Sequence, residues 1–177
     1  MKEPSRLKLK GSVGPRDPAA YPGGDFELGS ALFAQVSAAL QRGRPAPSVF
    51  LIMEDTVERF SMRPLAGRSR PSRQRILAGL AGIEGVECVV MLGAFKFSGK
   101  GPLNGAWVAS VFIEWPDNRW WTAWQPLGPQ GALVGDAPQV RCAEDGSPRP
   151  GGMGGWFALS RRTGVKLRVQ RGTTQVH

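Results

Sequence analysis

Apolar and aromatic residues recur in three strand-like segments between Val86 and Gln125. The segments read VECVVMLGAFKF, GAWVASVFIEW and NRWWTAWQ, and Pro116-Asp117-Asn118 separates the second from the third. Aromatic and β-branched side chains suit a half-buried pleated surface, and a Pro-Asp-Asn step suits a tight reversal of the chain. The pattern therefore predicts an antiparallel β-meander over residues 86–126 that ends in a hairpin.

This last hairpin carries four of the six tryptophans of the chain. If Asp117-Asn118 is a two-residue loop, Trp115 lies opposite Trp120, and Trp124 lies on the same face as both. We expect this face to pack beneath helices as core, and a ligand platform is the alternative. Trp121 then lies on the other face of the sheet, where it is a candidate for an exposed binding residue.

Two stretches show the apolar spacing of helices. Apolar residues at helical intervals predict one helix over about residues 28–42, with Asp25 as its cap. The same spacing predicts a second helix over about residues 72–84, with Ser72 as its cap. We expect both helices to lie on the sheet.

Further strands flank the meander. Residues 48–55 and 56–63 have strand patterns, and alternation near the C-terminus predicts a hairpin over residues 156–170 with Arg162-Thr163-Gly164 near its turn. Strands and helices do not alternate along the chain, which disfavours a doubly wound parallel sheet. The predicted fold is α+β, with a single layer of antiparallel sheet covered by two helices.

The N-terminus and one internal stretch differ in composition from these elements. Residues 1–24 are basic and lack apolar periodicity, which predicts a flexible basic arm. Residues 25–177 have the length of an ordinary domain and predict a single α+β unit. Within that unit, residues 128–155 are rich in glycine and proline and predict a long loop, either a flap or a tether.

Positive charge is concentrated outside the predicted strands. The chain has a formal net charge of +9, and residues 66–76 hold four arginines and no acidic residue. Cations also alternate with aromatic rings along adjacent strands, as in sheets that stack unpaired bases and neutralise phosphates. The candidate partner-binding residues are Arg68, Arg70, Arg73, Arg75, Lys96, Lys100, Arg119, Trp121, Arg161 and Arg162.

Few residues support catalysis. The one histidine is His177, the last residue, which disfavours histidine triads, proton relays and most zinc sites. Cys88 lies in a strand pattern and Cys142 in a loop, and neither belongs to a Cys-x-x-Cys pair. No phosphate-binding or dinucleotide-binding motif occurs. The sequence therefore predicts no enzymatic activity, no cofactor and no metal site.

Carboxylates at strand ends are the remaining catalytic candidates. A magnesium-dependent nuclease would need two or more acids that converge near a lysine. Glu54 and Asp55 end one predicted strand, and Glu114 and Asp117 end another. They would converge if these strand ends were neighbours, although solvated turn residues are the favoured interpretation.

No apolar run of 18 residues and no apolar segment behind the N-terminal charges occurs. We therefore expect no membrane span and no secretory signal, and a cytoplasmic protein with reduced thiols. The leading hypothesis is a non-enzymatic interaction or assembly module that binds a protein partner, or a second copy of itself, through a sheet face or edge. The alternatives are a nucleic-acid-binding protein that uses basic arms and aromatic strands, and a metal-dependent nuclease that uses strand-end carboxylates.

Overall fold

A computed structural model of the chain describes residue 9 and residues 11–97, 100–150 and 153–165. The strands are β1 (Gly11–Pro15), β2 (Ser48–Ile52), β3 (Thr56–Ser61), β4 (Cys88–Lys96), β5 (Trp107–Glu114), β6 (Trp120–Pro126) and β7 (Gln139–Cys142). The helices are α1 (Asp25–Leu40), α2 (Arg70–Ala81) and α3 (Trp156–Thr163). The strands form one sheet in the order β1-β3-β2-β4-β5-β6-β7, and every neighbouring pair is antiparallel. The predicted α+β fold with a single antiparallel sheet is confirmed, and β4, β5 and β6 form the predicted meander.

Helices cover both faces of this sheet, with α1 on one face and α2 and α3 on the other. The sequence predicts only α1 and α2 of these three helices. Successive residues of β2, β4 and β5 are buried, so both sets of alternate side chains need an apolar cover. On one face, Leu32 of α1 packs in the same core cluster as Ile113 of β5. On the other face, Leu77 of α2 and Trp156 of α3 pack with Phe112. The sheet is therefore the middle layer of three.

A glycine allows α1 to approach the sheet closely. A Cβ atom added at Gly29 would lie 2.6 Å from three ring carbons of Trp121, so a side chain at this helical position would overlap the indole. Trp121 is only 4% exposed and belongs to the core cluster beneath α1. The prediction that Trp121 is an exposed binding residue is wrong, because the face on which it lies is covered by α1.

The hairpin between β5 and β6 has the three-residue loop Pro116-Asp117-Asn118. The backbone of Asn118 has φ 69°, the left-handed conformation that commonly closes a three-residue loop after a type I turn. Trp120 consequently lies opposite Glu114 and not opposite Trp115. Because side chains alternate with a period of two, this one-residue shift sends Trp115 to the α1 face and Trp120 to the α2/α3 face. The predicted face shared by Trp115 and Trp120 does not exist.

Two strands occur where the sequence predicts none. β1 lies within residues 1–24, predicted as a flexible arm, and pairs with β3 at one edge of the sheet. β7 lies within residues 128–155, predicted as a loop, and pairs with β6 at the other edge. Both are short, and their backbone groups gain partners from a neighbouring strand instead of from any local apolar pattern. The arm and loop predictions are corrected at these two strands.

The predicted C-terminal hairpin is wrong in its first half, which forms α3 instead. Gly155 before this helix and Gly164 after it adopt positive φ values of 76° and 60°. Trp156 and Phe157, in the first turn, are buried against the sheet. The second predicted strand, residues 166–170, lies outside the described residues.

The two predicted helices are present with shifted ends. Asp25 is in the first turn of α1, where its carboxylate suits the positive end of the helix dipole, and it is not the cap. α2 begins two residues before Ser72, and the hydroxyl of Ser69 accepts a hydrogen bond from the Ser72 N–H at 3.4 Å. Pro71 fits in the first turn of α2, where a missing N–H costs nothing.

Candidate ligand-binding groove

A groove of about 760 Å³ lies on the α2/α3 face of the sheet. Its floor consists of side chains from β4, β5, β6 and β7. The strand register places Ser110, Trp124 and Gln139 side by side in one row across three strands, and Thr122 beside Arg141 in the next row. Residues of one face that lie in register form a continuous surface.

One wall of the groove is formed by α2. Arg70, Arg73, Gln74 and Leu77 line it at intervals of three and four residues, which places them on one side of this helix. The remaining walls come from the connection after β4 and from the segment that leads into α3. Their residues are Phe97, Leu103, Pro150, Met153 and Trp156.

Among the described residues, four cationic side chains line the groove, namely Arg70, Arg73, Lys96 and Arg141, and no aspartate or glutamate does. All four are exposed. Within the described residues, none of them forms an ion pair. The guanidinium carbon of Arg141 lies 5.2 Å from the centroid of the Trp124 ring, a cation–π contact. The groove is therefore a positively charged surface with an aromatic floor.

The position of two of these cations in α2 is electrostatically unfavourable. Arg70 and Arg73 are in the first turns of α2, where aligned peptide dipoles already place a partial positive charge. No acidic residue lies in the first turn to offset it. An anion bound in the groove would interact favourably with both arginines and with the helix terminus.

The ion pairs of the described chain lie at the other end of the strands. Arg16 pairs with Glu87 at 2.7 Å, beside the start of β4, and Arg119 pairs with Asp117 at 2.6 Å in the β5–β6 loop. The groove is at the opposite end, where β4 finishes and β5 begins. The four cations of the groove thus lie away from these ion pairs.

Three of the ten predicted partner-binding residues line the groove: Arg70, Arg73 and Lys96. The structure therefore brings the start of α2 and the end of β4 together around one cavity. Four other predicted cations do not line it, namely Arg68, Arg75, Lys100 and Arg162.

Two more predicted residues hold the β5–β6 loop in place. Arg119 lies with its guanidinium carbon 5.2 Å from the centroid of the Trp115 ring. Arg161 of α3 donates from Nη1 to the carbonyl oxygen of Pro116 at 2.8 Å and from Nη2 to Oδ1 of Asn118 at 3.3 Å. These contacts are within the chain, and neither arginine lines the groove.

Two groove residues, Trp124 and Arg141, are not among the ten predicted partner-binding residues. Trp124 is half-buried on the groove floor, although its aromatic side chain and strand position predict a core residue. Arg141 lies in β7, inside the stretch predicted as a loop. The polar-apolar alternation of Gln139, Val140 and Arg141 is a signal for a strand, but so few residues do not distinguish a strand from a loop.

Glu114, fully buried at the end of β5, fastens α3 to the sheet. Its Oε2 accepts a hydrogen bond from the Gly155 N–H at 2.6 Å, and its Oε1 accepts one from the Phe157 N–H at 3.4 Å. Burial raises the pKa of Glu114, while the charge of Arg149 and the backbone N–H groups act in the opposite direction. A carboxylate from a distant strand thus satisfies the first N–H groups of α3.

The strand-end carboxylates do not assemble into a metal site. In the part of the chain that the structure describes, no three His, Cys, Asp or Glu side chains lie close enough together to hold a metal ion. Glu54 and Asp55 are exposed in the β2–β3 turn, and Glu114 is occupied by α3. A metal site built from three or more such side chains is therefore not found among the described residues.

Both cysteines are free thiols. Burial raises the pKa of Cys88 to about 12, so this thiol is protonated at neutral pH. Burial and a hydrogen bond with Asp145 raise the pKa of Cys142. Since the thiolate is the reactive form, neither environment activates a nucleophile.

Comparison with protein-family models, curated proteins and solved structures finds no match to this chain. Among the helices within the described residues, none has both the length and the apolar character needed to cross a bilayer. The fold and the site together define an α+β protein with a seven-stranded antiparallel sheet and a cationic, aromatic groove on one face.

Proposed function

We propose that this chain is a non-enzymatic binding module that receives an anionic macromolecule in the groove between α2 and the sheet. The charge of the groove is the main support for the proposal, since four cationic side chains and no carboxylate line it in the part of the chain that the structure describes. Like charges gathered around one concave surface repel one another, although water and salt screen the repulsion. A polyanion replaces that repulsion by attraction and releases counterions on binding.

The spread of the cations favours a chain over a small anion. Arg70 and Arg73 lie on α2, which packs against β4, whereas Arg141 lies on β7 at the edge of the sheet. Three strand spacings separate β4 from β7, which is about 14 Å across the floor. A small anion would reach the cations at only one side of the groove, either on α2 or on β7. An extended polyanion would reach the cations at both sides.

The side chains around the groove favour binding over catalysis. The described residues of its lining include no histidine, cysteine or carboxylate, groups that supply many general acids, general bases and nucleophiles. The Thr122 hydroxyl donates to the carbonyl oxygen of Val111 at 2.8 Å and is thereby engaged in the sheet. These features support a site that holds its ligand without changing it.

A salt titration with matched arginine variants tests the proposal. Three fluorescently labelled polyanions, oligo(dT), oligoglutamate and polyphosphate, are titrated with the full chain over a range of salt concentrations. The groove variant is Arg70→Gln/Arg73→Gln, and the control is Arg68→Gln/Arg75→Gln, which removes the same charge from the same segment outside the groove lining. For oligo(dT), we expect the groove variant to flatten the plot of log affinity against log salt by about 0.7 for each phosphate that an arginine no longer neutralises. The control should keep the slope of the unmodified chain.

Two outcomes would contradict this function. If none of the three polyanions binds at low salt, the groove does not select anionic macromolecules. If both double variants show the same decrease in affinity and in slope, attraction follows net charge and not the groove.

A protein partner at the β7 edge is a second candidate function. β7 is the last strand of the sheet, and Val140 on this strand is 40% exposed, while Val134 nearby is 53% exposed. An edge strand with exposed apolar side chains can accept a further strand from another chain. Sedimentation at increasing concentration tests self-association, and Val140→Lys should abolish it. A monomer at all concentrations would remove the case for a second copy as partner.

A further inference from the structure

The aromatic side chains of the groove indicate which kind of anionic ligand it binds, which its charge alone does not. Trp124 is half-buried in the floor with Arg141 beside its ring. At the end of β4, Phe95 is half-buried, Lys96 is exposed and Phe97 is 38% exposed. All five side chains line the same groove. Flat apolar surfaces and cations are therefore interleaved across one cavity.

This combination distinguishes between anionic ligands. Polyphosphate and acidic peptides would pair with the cations but would leave the rings exposed to water. Single-stranded nucleic acid carries a charge and a flat base in every nucleotide, so it can satisfy both kinds of side chain. A duplex keeps its bases stacked inside, where these rings could not reach them. The groove chemistry thus matches unpaired nucleotides better than any other common polyanion.

We propose that the groove binds a short stretch of single-stranded nucleic acid, with bases stacked on Trp124 and Phe97 and phosphates paired with Arg70, Arg73 and Arg141. This inference rests on the proposed function, since it names the polyanion that the cationic groove receives. A cavity of about 760 Å³ is in the size range that encloses a drug-sized molecule, so it takes only a short part of a strand.

An abasic strand keeps the phosphates but lacks the bases, so it measures the contribution of the phosphates to affinity without that of the bases. Labelled oligo(dT), an abasic strand of equal length and oligoglutamate of equal charge are compared by anisotropy at one moderate salt concentration. We expect oligo(dT) to bind about a hundredfold more tightly than the abasic strand, since two rings would each stack a base and each stacked base contributes roughly tenfold in affinity. Oligoglutamate should bind no better than the abasic strand.

Two ring variants locate the stacking. Trp124→Ala and, separately, Phe97→Ala should each reduce the preference for oligo(dT) over the abasic strand about tenfold while leaving the abasic affinity nearly unchanged. Phe26→Ala is the matched control, because Phe26 is an exposed aromatic residue of α1 outside the groove lining. Phe97 lies just beyond the end of β4, so its variant keeps the test usable if Trp124→Ala does not fold.

Each other result has a defined meaning. Equal affinity for oligo(dT) and the abasic strand would overturn the nucleic-acid inference and leave the proposed function standing. Tighter binding of oligoglutamate would also overturn the inference and identify an acidic peptide as the occupant. If no strand and no peptide binds at low salt, the inference and the proposed function fail together. A base preference that Phe26→Ala reduces as much as Trp124→Ala would place the stacking site outside the groove.

Discussion

Replacing Gly29 by alanine tests how closely α1 packs on the sheet. At an open helical position this change stabilises a helix by about 1 kcal/mol, because alanine is the better helix former. At Gly29, however, the new Cβ would lie 2.6 Å from Cε3, Cζ3 and Cη2 of Trp121, and ordinary contact begins only at 3.4 Å. Either α1 or the indole must therefore move by roughly 1 Å in a closely packed core.

The Trp121 ring has little room for such a shift. It is 4% exposed, Phe26 contacts it edge-on with centroids 6.4 Å apart, and Ile113 lies opposite it in the sheet. Overpacking of this kind costs about 1–3 kcal/mol, so after the helical gain Gly29→Ala should lower the free energy of unfolding by up to about 2 kcal/mol. For a chain of this length the melting temperature should fall by up to about 8 °C.

Urea denaturation followed by far-ultraviolet circular dichroism measures this change independently of tryptophan emission. In a Trp121→Leu background the clash is absent, so Gly29→Ala should become neutral or stabilising by up to about 1 kcal/mol. Ser30→Ala, at the exposed neighbouring position, should stay within about 0.5 kcal/mol of the parent. A stabilising Gly29→Ala in the otherwise unmodified chain would refute the close packing of α1 on Trp121.

Two further predictions concern Glu114 and Asn118. Because burial raises its pKa, the folded chain holds the Glu114 proton more tightly than the unfolded chain, so this group makes the free energy of unfolding fall as pH rises above about 4. Glu114→Gln should remove that component in urea denaturation at several pH values, and an unchanged pH profile would contradict the assignment. Asn118→Val should lower the free energy of unfolding by about 1–2 kcal/mol because a β-branched residue opposes positive φ. Asn118→Gly should change it by less than about 0.5 kcal/mol, and equal destabilisation by both variants would instead point to the side-chain hydrogen bond with Arg161.

The types of β2 to β6, α1 and α2 were predictable from the chain, but the register of the last hairpin was not fixed by its apolar pattern. WPDNRW is compatible with a two-residue loop at Asp117-Asn118 and with a three-residue loop that begins at Pro116. Proline favours the second position of a type I turn and asparagine tolerates a left-handed backbone, which together favour the longer loop. The three-residue loop that these two preferences favour places Trp115 and Trp120 on opposite faces.

Other differences arise from interactions between distant parts of the chain. α3 has eight residues, a length that is marginal for an isolated helix. It is stabilised by Glu114, a residue 42 positions before its first residue, and by burial of Trp156 in the core. Local alternation near Val165 gives no indication of either interaction. In the groove, Arg70, Arg73 and Lys96 were predictable as exposed cations, but their meeting around one cavity depends on how α2 packs on the sheet.

The width of the sheet explains why this groove is open. Seven strands at a spacing of about 4.8 Å make a sheet about 29 Å wide, whereas one helix with its side chains covers only about 10–12 Å. α2 packs against β4 and α3, and Trp156 of α3 packs on Phe112 of β5, while Trp124 of β6 and Gln139 and Arg141 of β7 line the open groove beside these helices. An uncovered strip lined by leucine or valine would expose an apolar patch, but here the strip carries Trp124, Gln139 and Arg141. A half-exposed ring among cations is compatible with water and still offers an apolar face to a flat ligand, which is the combination that a stacking site for unpaired bases requires.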